Sequence, residues 1–249
     1  ADLIIGIGTR YSDFTTASKT IFQNPKVRFV NINLFEMDAF KHYGVPLTAD
    51  ARATLEELTG KLHDYHVNEK FTAEIAALKA EWEKETDRLF HLNHKPVPAQ
   101  SEVIGAIWEA AKPTDVLLSA AGSQPGDLHK LWRAHTPNSY HMEYGYSCMA
   151  YEIPAGIGVK MADPSREVYV WVGDGTYLMN PTEIVTSVQE GLKLTIVVVN
   201  NLGFGSIGSL SHSLGSAGFG TYFRKRDEET HQLTGDQLPV NFAMNAASL

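Results

Sequence analysis

The sequence predicts an α/β protein: a parallel sheet covered by helices, preceded by part of a second α/β unit. Three observations predict it. The runs REVYVWV and LTIVVV are apolar at nearly every position, as strands buried on both faces must be, and such strands belong to parallel sheets. NPTEIVTSVQEGL, between them, reads as one helix with Asn180 as cap, Pro181 at its first position, Glu183 at its third and Ile184, Val185, Val188 and Leu192 on its buried face. Upstream, strand and helix signals go on alternating.

Taken in order, residues 1–65 hold two β-rich runs, DLIIGIG and VRFVNINL, and the helix DARATLEELTGKL with Asp50 as N-cap. Gly6-x-Gly8 lacks the third glycine of a dinucleotide fingerprint and reads as a tight strand-to-helix turn. Residues 66–98 form a helical linker, with Phe71, Ile75, Leu78, Trp82 and Leu89 as its apolar stripe and Pro96 and Pro98 ending it. Residues 99–249 resume the pattern. SEVIGAIWEAA is a helix, DVLLSA a strand and AGSQPGD a loop, and YGYSCMAYEIPAGIGVKMA turns into a helix. GFGSIGSLSHSLGSAGFGTYF reads as a long mobile loop, and NFAMNAASL as the opening of a helix. Both ends look abrupt, so the chain reads as a fragment of something longer, truncated at its C-terminus.

The 249 residues carry a net charge of −8, and the densest basic cluster, Arg224-Lys225-Arg226, runs straight into Asp227-Glu228-Glu229. That balance argues against a nucleic-acid protein. No run has the length of a membrane span, and the single cysteine, Cys148, suits a reducing cytoplasm.

The chemistry concentrates at two strand ends. Gly173-Asp174-Gly175 follows the first apolar run and Asn200-Asn201 the second. In a parallel sheet with right-handed crossovers both loops leave the same carboxyl edge, where such folds bind ligands. A carboxylate and an amide oxygen are hard donors suited to Mg²⁺ or Ca²⁺ rather than zinc. The glycines admit close backbone approach, and loop N–H groups ahead of a helix suit a phosphate.

These residues resemble the signature of thiamine-diphosphate enzymes, with the spacing of the acetohydroxyacid synthase group. The resemblance implies thiamine diphosphate and Mg²⁺ as cofactors. It makes Asp174, Asn201 and the carbonyl of Gly203 the metal ligands, with Gly173, Gly175 and Thr176 beside the diphosphate. CMAYEIPAGIG is similar to the segment that props the cofactor in its bent form, which gives Met149 that role, with Ala150 where a glycine is usual. SAAGSQPGD is similar to the loop near the diphosphate and aminopyrimidine, which adds Gly122 and Ser123. ADLIIGIGTR is similar to the end of the family's Rossmann-like middle domain, and residues 99–249 to its diphosphate-binding domain.

The likeness is nearest to members that cleave a carbon–carbon bond of a cyclic diketone with water. It implies a homodimer or homotetramer whose active site lies between chains. The glutamate that activates the cofactor is expected in an N-terminal domain, so no catalytic residue is assigned here. Glu143 and Glu152 read as helix-surface or supporting glutamates, and the histidines from His91 onward offer no basis for a choice. Rival readings are another thiamine-diphosphate lyase or synthase, a dedicated diphosphate-binding subunit of a two-chain enzyme, and a non-catalytic Mg²⁺- or nucleotide-binding α/β module.

Overall fold

The structure, a computed structural model, describes residues 1–143 and 145–249. Tyr144, which opens the segment read as turning into a helix, lies outside them. Two units, Ala1–Ala77 and Leu78–Leu249, divide the chain.

The first unit carries β1 (Leu3–Ile7), α1 (Asp13–Thr16), β2 (Arg28–Asn33), α2 (Glu36–Ala39), β3 (Val45–Thr48) and α3 (Ala51–Lys61). Its three strands are parallel in the order β1-β2-β3. Asp50 caps α3 as expected, its carboxylate accepting the Ala53 N–H at 2.9 Å. The sequence reading missed β3 because VPLT contains a proline. At the sheet edge the N–H that Pro46 lacks is not needed on the open side.

The division between units falls inside α4 (Glu69–Phe90). Most of the expected apolar stripe is not buried: Phe71, Ile75, Leu78 and Trp82 are exposed, while Leu89 packs against the core. Thr86 and Phe90 are buried instead, and Phe90 packs with Ile104, Leu117 and Trp171. Trp82 is fixed by its tip, its indole N–H donating to Lys130 O at 3.1 Å. The second half of α4 thus belongs to the second unit's core rather than to a connector.

That unit continues with α5 (Gln100–Ala110), β4 (Val116–Ser119), α6 (Gln124–Leu131), β5 (Tyr140–Met142), α7 (Glu152–Ala162), β6 (Val168–Gly173), α8 (Asp174–Met179), α9 (Glu183–Gln189), β7 (Thr195–Val199), α10 (Gly205–Ser213) and α11 (Phe242–Ala247). All four strands are parallel, in the order β5-β4-β6-β7. The continuous apolar runs have the expected cause. Val168, Val170 and Val172 pack with Val116 and Ile153, while Trp171 packs with Ile104, Leu117 and Leu128 in a separate cluster. Successive residues of a strand point to opposite faces, and here both faces are covered.

Three elements depart from the sequence reading. An additional short helix, α8, opens at Asp174 directly after β6, and the helix expected to begin at Pro181 begins at Glu183 as α9. Asn180 ends α8 rather than capping α9, whose N-cap is Thr182. The segment read as a long loop contains α10. No helix among the described residues is long and apolar enough to cross a membrane.

Helix α7 approaches the sheet at Gly156, where an added Cβ would stand 2.5 Å from Val170 Cγ2. Gly156→Ala is therefore expected to destabilise the protein by about 1–3 kcal/mol despite alanine's better helix propensity. Denaturant titration checks this.

Candidate functional site

β4 enters the sheet first, with β5 on one side and β6 on the other. The order reverses there, and in open parallel sheets that reversal leaves a crevice outside the carboxyl ends of the strands. All four strands present their carboxyl ends here, and residues 120–123 after β4, Asp174 after β6 and residues 200–204 after β7 follow from them.

Asp174 is fully buried. It follows Gly173, which pairs with Val199 at the end of β7, so the loop after β7 starts beside it. Its Oδ1 accepts the Gly175 N–H at 2.8 Å and its Oδ2 the Gly203 N–H at 3.0 Å. Burial pushes the carboxyl above its ordinary range, against the N–H groups of Gly175, Gly203, Leu202 and Asn201, which favour the anion. The Gly175 N–H, read from sequence as available to a phosphate, is thus already given to Asp174.

The 200–204 loop is shaped for this contact. Asn200 Oδ1 accepts the Leu202 N–H at 3.2 Å, an Asx turn. Gly203 has φ 153°, and a Cβ there would run into Thr221 O. Only glycine fits. Phe204 lies against Gly175, where a Cβ would meet its ring at 2.8 Å, and Thr176 is buried on the same short helix. Asn201 keeps an exposed side chain beside Gly205, whose added Cβ would stand 2.7 Å from Asn201 Nδ2.

Gln124, absent from the sequence reading, joins the first two loops. It is buried, and its amide fills the space a side chain would take at either Gly122 or Gly173; a Cβ on Gly173 would stand 2.9 Å from Nε2. Gly122 and Ser123 themselves are exposed. Only the pairing of a buried polar residue with small neighbours could have revealed Gln124, and a sequence shows no burial.

Met149 is half-buried in the turn before α7. The next residue, Ala150, has φ 68°, the left-handed region that costs a residue with a Cβ about 1–2 kcal/mol. That accounts for glycine being usual there. The two glutamates nearby separate. Glu143 is a loop organiser, accepting the N–H groups of Tyr146 at 2.8 Å and Cys148 at 2.7 Å, which hold its carboxyl below the ordinary range. Glu152 is not on a helix surface: it is 1% exposed. Its Oε1 accepts the Ala121 N–H at 3.4 Å, and its Oε2 has no hydrogen-bond partner among the described residues. Burial, reinforced by the Glu143 charge, pushes its pKa up to about 7.

No cluster of three His, Cys, Asp or Glu side chains able to hold a metal occurs among the described residues. The ligands expected from the sequence, the Asp174 carboxylate, the Asn201 amide and the Gly203 carbonyl, are all oxygens, and the structure brings the backbone N–H groups of Asn201 and Gly203 to the Asp174 carboxylate. Such a set is hard and incomplete, which fits Mg²⁺ finished by water and phosphate oxygens and does not fit zinc.

Residues 120–249 match the C-terminal TPP binding domain of thiamine pyrophosphate enzymes. The chain is also similar to proteins named 3D-(3,5/4)-trihydroxycyclohexane-1,2-dione hydrolase. One from Bacillus cereus, numbered 2 in that organism, is 44% identical, one from Bacillus anthracis 43% and one from Bacillus thuringiensis (strain Al Hakam) 42%. Each alignment covers 99% of this chain and 42% of the relative, so the chain spans less than half the length of these relatives.

Two outcomes follow from the turn before α7 and its buried carboxyl. Ala150→Gly is expected to stabilise the protein by about 0.5–1 kcal/mol, the relieved strain exceeding the added chain entropy; thermal melting reads it. A carboxyl whose pKa rises from 4.5 to about 7 on folding imposes no penalty below pH 4.5, a growing one between, and its full amount, roughly 3 kcal/mol at most, above pH 7. The advantage of Glu152→Gln over the parent should therefore be larger at pH 8 than at pH 5, as measured by paired melts.

Proposed function

The chain belongs to the thiamine pyrophosphate enzymes, and from that membership we propose that its second unit binds thiamine diphosphate through Mg²⁺. Asp174, Asn201 and the Gly203 carbonyl would hold the metal. Gly122, Ser123, Gly173, Gly175 and Thr176 would line the diphosphate, and Met149 would support the cofactor's bend. The observation that carries the reading is the 3.0 Å hydrogen bond from the Gly203 N–H to Asp174 Oδ2, which joins the loops after β6 and β7 at one point.

Thiamine diphosphate, when bound, supplies a carbon nucleophile and a sink for the electrons of a breaking carbon–carbon bond. The chain's own residues bind and orient. Asp174, enclosed and held by two N–H groups, offers a fixed negative charge that attracts the cation, and the cation removes the repulsion between that charge and a diphosphate. The reaction proposed for the whole protein is the one its relatives are named for: hydrolysis of 3D-(3,5/4)-trihydroxycyclohexane-1,2-dione, here taken as carbon–carbon cleavage to 5-deoxyglucuronate in myo-inositol catabolism. A neutral cyclic diketone is compatible with the net charge of −8. The activating carboxylate is assigned to the part of the relatives' length that this chain does not span. The working form is proposed as a cytoplasmic homodimer or homotetramer with the site between chains.

The test is thermal. Thiamine diphosphate should raise the melting temperature only when Mg²⁺ is present, by roughly 5–10 °C at a hundredfold excess over Kd. Asp174→Asn should lose that response while melting without cofactor within a few degrees of the parent, since the amide can still accept one of the two N–H groups. Stabilisation without Mg²⁺, or equal stabilisation by NAD, would refute the site. Product analysis with the diketone against pyruvate then separates hydrolase from synthase or decarboxylase.

A further inference from the structure

The first unit has a cleft of its own, built on four rings. Phe29, buried on β2, stacks with His42 at a centroid distance of 4.8 Å and an interplanar angle of 21°. Tyr11 and Phe22 stand edge-on to His42, at 4.7 and 5.1 Å. Buried Asn31 ties the cluster together. Its Oδ1 accepts the Tyr11 O–H at 2.7 Å, and its Nδ2 donates to Ala39 O at 3.0 Å and to Lys41 O at 2.7 Å. The cleft has a volume of about 570 Å³, and Phe40 and Tyr43 line it with exposed rings. That volume falls within the range of small-molecule sites.

The backbone around the cleft is strained. Tyr11, Lys19, His42 and Tyr43, all of which line it, have φ of 50°, 68°, 58° and 53°. The left-handed region is costly for a residue with a Cβ. Such strain gathers at ligand clamps and persists where surrounding contacts hold it; here Asn31 and the ring cluster supply those contacts.

The charges select the ligand. Aromatic faces alone attract cations, but two lysines, Lys19 and Lys41, line this cleft and no acidic side chain does. Lys41 Nζ pairs with Asp38 at 2.7 Å, whereas Lys19 has no ion pair among the described residues. Burial and the two lysine charges hold His42 below its ordinary range, so its ring stays neutral at pH 7. Two lysines against one aspartate leave a single positive charge unmatched, in a chain whose net charge is −8.

We propose that this cleft binds a planar aromatic carboxylate, its ring packed against the exposed aromatic side chains and its single negative charge paired with Lys19. Offset or edge-on contact with Phe40 and Tyr43 recognises the ring, and the unmatched lysine recognises the anion. The site lies in the first unit, so it stands or falls apart from the thiamine diphosphate reading, whose residues are all in the second.

Ligand-observed NMR titration of the whole chain with 2-naphthoate tests it. A Kd of about 1 mM or tighter is expected for a ligand of this size. Binding should be about fivefold weaker or more for 2-naphthamide, planar but neutral, and for cyclohexanecarboxylate, charged but not planar. Lys19→Glu, an exposed change, should weaken naphthoate by about fivefold or more and leave naphthamide unaltered. Tyr43→Ala, which removes an exposed ring, should weaken both planar compounds alike, by about threefold. Asp174→Asn should change neither. Naphthamide binding as tightly as naphthoate, naphthoate indifferent to Lys19→Glu or to Tyr43→Ala, or naphthoate binding lost in Asp174→Asn would each overturn the proposal.

Discussion

The candidate site depends on one hydrogen bond, from the backbone N–H of Gly203 to the carboxylate of Asp174. It closes only because β6 and β7 are neighbours in register, Gly173 opposite Val199, and because residue 203 takes a backbone conformation that a side chain would forbid. The sheet supplies adjacency and the glycine supplies approach. Without either, the carboxylate would be a buried charge with half its donors missing, the arrangement that proteins disfavour most strongly.

The fold was legible where a single physical rule dominates. Runs of apolar residues fixed β6 and β7, since only a strand covered on both faces tolerates them, and Asp50 announced α3. Legibility failed where tertiary contact overrides local preference. β3 hides behind Pro46, which an edge strand accepts. α10 is rich in glycine and serine, and so resembles a loop until Phe204 and Thr221 close its base. In α4 four of the larger side chains drew the stripe to the wrong face, while Thr86, Leu89 and Phe90 do the packing.

The site divides in the same way. Asp174 and the 200–203 loop were visible because paired strand-end polar residues have few explanations in a parallel sheet. Gln124 and the burial of Glu152 were not, because each is defined by what surrounds it: two small neighbours for the amide, and an apolar helix for the carboxyl. Ala150 lies between these cases. Its departure from the family's usual glycine was readable, but its cost shows only in the dihedral angle.

A short set of backbone contacts closes the base of the excursion that holds α10. Phe204 N–H donates to Thr221 O at 2.7 Å, Phe223 N–H to Leu202 O at 2.9 Å, and Gly203 bridges Tyr222 antiparallel. These contacts make a stem, so the chain beyond them is an appendage whose length is decoupled from the carboxylate. Closing a longer appendage costs only about 0.6 kcal/mol per doubling. Residues 205–220 can therefore be lengthened or shortened without disturbing the Gly203–Asp174 contact.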